Sequence, residues 1–323
     1  MSLKKNFKKS KPFIMKKNIK NETRFLNPLT DFGFHRLFGT ESSKKFLISF
    51  LNEIVREESL ITEIQYLPPI VRGFTEIERK AVFDILCTNE KGEYFIVEMQ
   101  RAKQKFFRDR SLFYASLPIQ KQAPQGIWDF RLKAVYLIAV LDFIIFNEFE
   151  EDNNHVIEYV NLVRERTKTY FSKKINFVFV ELPKFTKKEE ELITNFDFWM
   201  YSLKNMDKLN DFPSFVQNKI FEELFRAADI NILTKKEMKN YKKSVLEYRD
   251  VKSSIELARE EALEEGIEIG IKKGLEQGVE QGLERAKIAI ILKCFQKNMP
   301  VEDIVYITGF SEEYINQYVK EQQ

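Results

Sequence analysis

Residues 78–101 read ERKAVFDILCTNEKGEYFIVEMQR, and the predicted fold follows from this segment. Two runs rich in apolar, β-branched and aromatic residues, 78–88 and 93–101, flank the turn-forming sequence NEKG at 89–92. This pattern is typical of two antiparallel strands joined by a short loop. Because both runs are largely apolar, we expect the hairpin to lie in the centre of a sheet.

Two acidic residues of this hairpin are predicted to face each other. Asp84 lies seven residues before Lys91 and Glu98 lies seven after it, so a symmetric turn places their side chains opposite one another on one face. Gln100, two residues further on, shares that face. A register slip of one residue would turn Asp84 away from Glu98, and single acids in strands usually face solvent. The spacing alone therefore leaves both arrangements open.

Facing carboxylates inside a sheet need a compensating charge. They repel each other, and removing either charge from water costs free energy, which a divalent cation would offset. The donors are hard oxygens, and the sequence holds only two histidines and two cysteines, so the pattern indicates Mg²⁺ or Mn²⁺ rather than zinc. Lys80 has the same strand parity as Asp84 and is expected to face the same cleft.

The segments around the hairpin predict a mixed α/β domain. Helices are predicted over 30–38, 42–55 and 104–122, strands over 133–146, 156–164 and 175–182, and a further helical region over 187–229. This order of helices, antiparallel strands, a helix and further strands is typical of a mixed sheet flanked by helices.

The C-terminal part of the chain differs in kind. Glycine recurs every four residues from Gly266 to Gly282, each followed by an apolar residue. Glycine costs a helix about 1 kcal/mol relative to alanine, so the segment is either a marginal helical spacer or a helix that packs closely against a second one. We divide the chain into a basic disordered tail (1–20), an α/β domain (21–230), a helical segment with the glycine repeat (231–285) and a small helical cap (286–323).

The distribution of charged and apolar residues limits the classes of protein to which the chain could belong. The net charge is +3, yet residues 1–20 carry eight lysines and no acid, which leaves the remainder near −5 by subtraction. This tail is either a solubilising arm or an arm that binds phosphates. No apolar run has the length of a membrane span, and neither a signal-like segment nor a disulfide framework is evident. We therefore predict a cytoplasmic protein with no membrane partner.

Several motifs together resemble one bacterial family. The pattern Asp84-x13-Glu98-x-Gln100 resembles the D…ExQ variant of the PD-(D/E)XK nuclease signature. The segment TDFGFHRLFG at 30–39, the hairpin and the helix after it resemble the Rpn family of recombination-promoting nucleases and putative transposases, in which the glycine repeat and helical cap also recur. The resemblance spans the chain from about residue 25. It implies a restriction-endonuclease-like core with a mixed central sheet, plus a C-terminal helical extension.

The resemblance also implies an activity. It is that of a metal-dependent DNA endonuclease that hydrolyses phosphodiester bonds, with a role in recombination. Asp84 and Glu98 would bind Mg²⁺, the backbone carbonyl of Met99 would be a further ligand, and Gln100 would position the attacking water. The wider superfamily has lysine at the position of Gln100, and glutamine supplies no positive charge.

Further site residues follow from the same resemblance. Asp31 or Glu53 would complete the catalytic site from the N-terminal helices, although Asp31 could equally be an N-cap. Arg108 and Arg110 are candidate DNA phosphate contacts together with Lys80, and a solvated helix face explains the two arginines equally well.

The expected partners are DNA and a second copy of this chain, bound through the C-terminal helices. The alternative function is a catalytically degenerate nuclease fold that acts as a DNA-binding or oligomeric interaction module.

His35 stands where the family usually has lysine, which puts a phosphate contact at that position in doubt.

Overall fold

The chain forms a mixed six-stranded sheet with helices on both faces. The structure is a computed structural model, which describes residues 23–56, 60–71, 81–123, 126–149 and 155–321. Its α-helices are α1 (Asp31–Phe38), α2 (Lys44–Ile54), α3 (Phe107–Lys121), α4 (Asn195–Asn205), α5 (Lys219–Ala228), α6 (Lys235–Gln296), α7 (Val301–Thr308) and α8 (Glu312–Glu321). Its strands are β1 (Ile64–Tyr66), β2 (Ile70–Val71), β3 (Ala81–Val82), β4 (Ile85–Asn89), β5 (Tyr94–Gln100), β6 (Val135–Leu141), β7 (Ile157–Val163) and β8 (Tyr170–Glu181).

The strand order places the predicted hairpin inside the sheet. The order is β1-β4-β5-β6-β8-β7; β6 is parallel to both β5 and β8, and the other neighbouring pairs are antiparallel. The hairpin strands β4 and β5 are therefore inner strands, as their apolar sequence predicts. The mixed α/β fold with flanking helices and a C-terminal helical extension is confirmed.

The register of the hairpin agrees with the prediction that its two strands pair symmetrically about Lys91. Ile85 lies opposite Val97, and Thr88 lies opposite Tyr94. One further step along this register sets Asp84 opposite Glu98, although Asp84 itself precedes the first residue of β4.

The first strand of the hairpin is shorter than predicted. Ala81–Val82 forms β3, which pairs with β2 in a separate two-stranded sheet, while β4 begins only at Ile85. Phe83 lies between them and is buried. Its ring packs edge-to-face against the ring of Tyr114, with the two centroids 5.1 Å apart. The prediction of one continuous strand over 78–88 is therefore wrong, because the chain changes its pairing partner before Asp84.

Two hydrophobic clusters cover the two faces of the sheet, because successive residues of a strand point to opposite faces. Val97 and Met99 belong to the first cluster, and Ile96 belongs to the second. Helices α1, α2, α4 and α5 supply the first cluster with buried aromatic side chains: Phe34, Phe38, Phe50, Trp199, Phe221 and Phe225. Helix α3 supplies the second cluster with Phe107, Ala115 and Leu117. Glu98, by alternation, points to the face of α3.

The chain divides between Lys252 and Ser253 into two compact units. In the second unit the end of α6, α7 and α8 surround a small core formed by Ile291, Ile304, Ile315 and Val319. Three helices thus form the part of residues 286–323 that the structure describes, where a small helical cap is predicted. Helix α6 is continuous across residue 285, and the four-part division of the chain stays a prediction.

The glycine repeat of α6 lies on an open helix surface. A Cβ atom added at any of the five glycines from Gly266 to Gly282 would meet nothing within 4 Å. The five apolar residues that follow the glycines, Ile267, Ile271, Leu275, Val279 and Leu283, are 53–68% exposed. Nothing in the described part of this unit covers the repeat.

Two predicted features lie outside the described residues: the basic tail 1–20 and Lys80. None of the described helices combines the length and the apolar character that crossing a membrane requires.

Candidate active site

Asp84 and Glu98 are connected at the point where the ladder between β4 and β5 ends. The backbone N–H of Met99 donates to Oδ2 of Asp84 at 2.8 Å, and the backbone N–H of Asp84 approaches Oε1 of Glu98 at 3.4 Å. Each carboxylate thus accepts from the backbone of the opposite strand. The structure therefore brings together the two acids that the sequence paired.

Gln100 belongs to the same group. Its Nε2 donates to Oε2 of Glu98 at 3.2 Å, which agrees with the strand parity that places both side chains on one face. Glu98 is buried, with 5% of its surface exposed, whereas Asp84 and Gln100 are accessible. The group forms a polar patch with its most buried member at Glu98.

Burial and mutual repulsion make Glu98 an unusual acid. The pKa of Glu98 is raised to about 8, mainly by burial and also by the negative charge of Asp84, against the opposing effects of Asp84 N–H, Arg110 and Gln100. Desolvation by the surrounding protein also raises the pKa of Asp84, although part of this side chain is exposed, while the N–H of Met99 lowers it. A perturbed acid pair of this kind is a candidate functional site.

Arg110 and Tyr114 of α3 complete the wall above the acids. Arg110 lowers the pKa of both Asp84 and Glu98 through its positive charge. Its Nη1 donates to Oε1 of Gln104, while its Nη2 is buried without a hydrogen-bond partner in the described residues. The pKa of Tyr114 is raised by burial and by the charge of Glu98. A guanidinium with an unused N–H beside an acid pair can bind an anionic oxygen.

Asp31 lies near the pair but is already engaged. It forms an ion pair with Arg101, which directly follows Gln100, and its negative charge contributes to the raised pKa of Asp84. The N-cap of α1 is Thr30, whose Oγ1 accepts from the N–H of Gly33 at 3.1 Å. The N-cap interpretation of Asp31 is therefore wrong.

Other predicted residues are not brought to the pair. Nη2 of Arg108 donates to the carbonyl of Ile145 at 2.9 Å and pairs with Glu148 at 2.6 Å, and its guanidinium lies 4.8 Å from the Phe146 ring centroid. Glu53 has no interaction with either acid within the described ranges. Arg108 is thus held against the loop after β6, and its role in DNA binding stays a prediction.

Two neighbours of the acids were not predicted as site residues. Arg101 was missed because its ion pair with Asp31 joins residues 70 positions apart, which no local pattern shows. Tyr114 lies one helical turn after Arg110, so the same helix face would have predicted it.

The donor chemistry of the pair fits a hard divalent cation. Glu98 and Asp84 offer carboxylate oxygens, and a positive charge between them would offset the two effects that raise the pKa of Glu98. Among the residues that the structure describes, no group of three or more His, Cys, Asp or Glu side chains could hold a metal. Any remaining ligands would be backbone oxygens and waters, which suits Mg²⁺.

Comparison with known proteins shows that a family model matches this chain. The model of a family described as PD-(D/E)XK nuclease family transposase matches residues 28–258, more than half of the chain. The matched range contains the hairpin and every residue of the acid patch. Neither a curated protein nor a solved structure matches the chain.

Proposed function

This chain belongs to the PD-(D/E)XK nuclease family of transposases, and we propose that it is a Mg²⁺- or Mn²⁺-dependent DNA endonuclease. The observation that carries this proposal is the buried Glu98 carboxylate beside Asp84 at the end of an inner hairpin. A buried carboxylate next to a second acid is costly unless it serves a charged ligand.

The proposed metal ligands are Asp84, Glu98 and the carbonyl of Met99. Within a strand, the N–H and C=O of one residue point towards the same neighbouring strand. Because the N–H of Met99 donates to Asp84, its carbonyl is directed to the side of Asp84 as well. When bound, the cation would polarise a phosphoryl oxygen and acidify a water.

The remaining residues would orient the substrate. The amide of Gln100, which donates to Glu98, can hydrogen-bond a water next to the pair. The Nη2 of Arg110, which is buried and has no hydrogen-bond partner among the described residues, can donate to a phosphate oxygen of DNA. Asp31 would act indirectly, since its ion pair holds Arg101 near Asp84.

The test is cleavage of supercoiled plasmid in the presence of Mg²⁺ or Mn²⁺. We expect wild type to nick the plasmid and Asp84→Asn and Glu98→Gln to reduce nicking to the level of buffer. Asp211→Asn is the matched control, because Asp211 is exposed and remote in sequence from the pair. Equal activity of wild type and Asp84→Asn would reject the assignment of the site.

One observation favours a second candidate function. The acid pair has no third acidic, histidine or cysteine ligand among the described residues, which is what a catalytically degenerate, DNA-binding or oligomeric module would show. Wild type that binds DNA but leaves plasmid intact over a range of divalent metals would support this alternative.

We also propose that the glycine repeat of α6 associates with a second copy of the chain. Its apolar residues are exposed, and the glycines leave room for a close approach. Residues 256–268 carry six glutamates and one arginine, whereas 272–293 carry five basic and three acidic residues. An antiparallel pair would set the acidic half against the basic half. A role in recombination and a cytoplasmic location stay predictions.

A further inference from the structure

A second polar concavity lies far from the acid pair. It has a volume of about 590 Å³ and lies beside the start of β6, the turn before β5 and the strands β7 and β8. Since Tyr94 pairs with Val135, this end of β5 is six residues, or about 20 Å, from Gln100. Tyr136 packs with the cluster of Val97 and Met99, which is the face opposite to Glu98. The concavity is thus at the other end and on the other face of the sheet.

The lining of this concavity is basic and aromatic. Its charged residues are Arg56, Lys91, Lys173, Lys174 and a single acid, Glu93. Glu93 accepts a hydrogen bond from Nδ2 of Asn89 at 2.8 Å. Arg56, Lys173 and Lys174 form no ion pair with any residue in the described ranges. An excess of cations around a volume of ligand size indicates an anionic ligand.

Tyrosine rings form much of the remaining wall. The guanidinium of Arg56 lies 3.8 Å from the ring centroid of Tyr159, whose hydroxyl donates to the carbonyl of Ile54 at 2.9 Å. The Tyr136 ring is stacked on Phe95 with centroids 4.9 Å apart. These rings are held in place, and Tyr170 at the rim is 55% exposed. Rings fixed next to cations can stack with a planar base.

The hairpin between β7 and β8 extends the same surface. Residues 162–174 hold five basic side chains (Arg164, Arg166, Lys168, Lys173 and Lys174) and one acid, Glu165. Arg164 donates to the hydroxyls of Thr167 and Thr169, and none of the five pairs with a carboxylate elsewhere in the described chain. Phe171 is 75% exposed next to Tyr170. We call residues 162–174 the basic hairpin.

We propose that the concavity and the basic hairpin bind a single strand of nucleic acid, outside the acid pair. Lys173, Lys174 and Arg56 contact phosphates, and a base stacks on Tyr170. A single strand fits better than a duplex because exposed rings recognise unstacked bases. The inference extends the proposed function, since nucleic acid is its substrate. It assigns a second contact, which holds a strand away from the point of cleavage.

The test is fluorescence anisotropy with a labelled 15-nucleotide thymidine strand, using the full chain in EDTA so that no metal-dependent cleavage occurs. We expect Lys173→Glu/Lys174→Glu to weaken binding about tenfold or more. The slope of log Kd against the logarithm of the salt concentration should decrease by about 1.4, because two phosphate contacts are lost. Lys235→Glu/Lys236→Glu is the matched control, because these lysines are also adjacent and exposed. Equal weakening by both pairs, or by neither, would overturn the inference.

Tyr170 tests the stacking contact separately. We expect Tyr170→Ala to weaken binding about tenfold and Tyr170→Phe to preserve it, because the ring and not the hydroxyl stacks. Tyr170→Ala with the affinity of wild type would contradict the contact, as would a duplex of equal length that binds more tightly than the strand.

The two proposals can fail independently. Loss of Mg²⁺-dependent nicking with strand binding intact would reject the nuclease proposal and leave the basic hairpin. Nicking that persists while the hairpin variants bind as wild type does would reject the present inference alone.

Discussion

Glu98 is the residue on which the proposed chemistry of this molecule depends. Its carboxyl group is buried on an inner strand and faces Asp84. From the described residues it accepts only a long backbone contact and an amide hydrogen bond. Burial therefore raises its pKa to about 8 from 4.5. In the unfolded chain the same group would ionise at its ordinary pKa, so protonation of Glu98 is coupled to folding.

The pH dependence of stability follows with a definite sign. Between pH 4.5 and 8 the folded protein holds a proton on Glu98 that the unfolded chain has lost, so this group lowers stability as pH rises. We expect Glu98→Gln to increase the free energy of unfolding at pH 8 by a few kcal/mol relative to wild type, and by much less at pH 5. Urea denaturation in EDTA measures this difference. Glu63→Gln, at an exposed site, should show no such dependence.

Asp197 gives a prediction of the opposite sign. Burial would raise its pKa, but the ammonium of Lys187 and the N–H groups of Ile193 and Thr194 lower it overall. Its contribution to stability is present near neutral pH and is lost as pH falls through the lowered pKa. We expect Asp197→Ala to cost about 1–3 kcal/mol at pH 7 and less at acidic pH. A pH-independent loss in urea titrations would contradict this account.

At the scale of elements, the hairpin was the most predictable part. Its two apolar runs and the symmetric count about Lys91 predicted the register of β4 and β5, and with it the pairing of Asp84 and Glu98. The break before Asp84 was not predictable, because an apolar run indicates a strand but not its pairing partner. β3 pairs with β2, and the buried Phe83 separates β3 from β4.

Side-chain pairing across elements was the least predictable part. Arg108 and Arg110 lie two residues apart in α3 and carry the same charge. Arg108 nevertheless contacts Glu148, whereas Arg110 lies beside Asp84 and Glu98. Only the packing of α3 on the sheet separates them. The ion pair between Asp31 and Arg101 likewise depends on how α1 meets the end of β5.

The glycine repeat of α6 gives a prediction for one element. Replacing Gly270, Gly274 and Gly278 by glutamine places long side chains where a second helix would approach. In a single chain these changes meet nothing within 4 Å and favour the helix. We therefore expect the triple variant to be more helical but to dissociate, as sedimentation velocity and circular dichroism would show.

Its matched control changes the residues two positions further along. Lys272→Gln, Glu276→Gln and Glu280→Gln alter the same turns on another side of the helix. Association that is lost equally in both triple variants would point away from the glycines. A wild-type chain that is monomeric at all concentrations would reject the helix pair altogether.

At the scale of the whole molecule, the two units have separate cores. The sheet with its flanking helices has two clusters, and the second unit has its own cluster around Ile291 and Ile304. We expect a chain ending at Lys252 to unfold cooperatively, with a Tm within about 5 °C of the corresponding transition of the full chain. It should also retain metal-dependent nicking. Failure to fold, seen by circular dichroism, would show that the first unit depends on the rest of α6.

The hydrogen bond from Met99 to Asp84 limits how a metal can be bound. Oδ2 of Asp84 ends the β-ladder by accepting that N–H, so one lone pair of this oxygen is already used. If Asp84 binds a cation as proposed, this hydrogen bond would favour monodentate coordination through Oδ1. A small octahedral ion accepts such a ligand and completes its shell with water, whereas Ca²⁺ takes more oxygens and often bidentate carboxylates. Monodentate binding by this one side chain would thus favour magnesium over calcium.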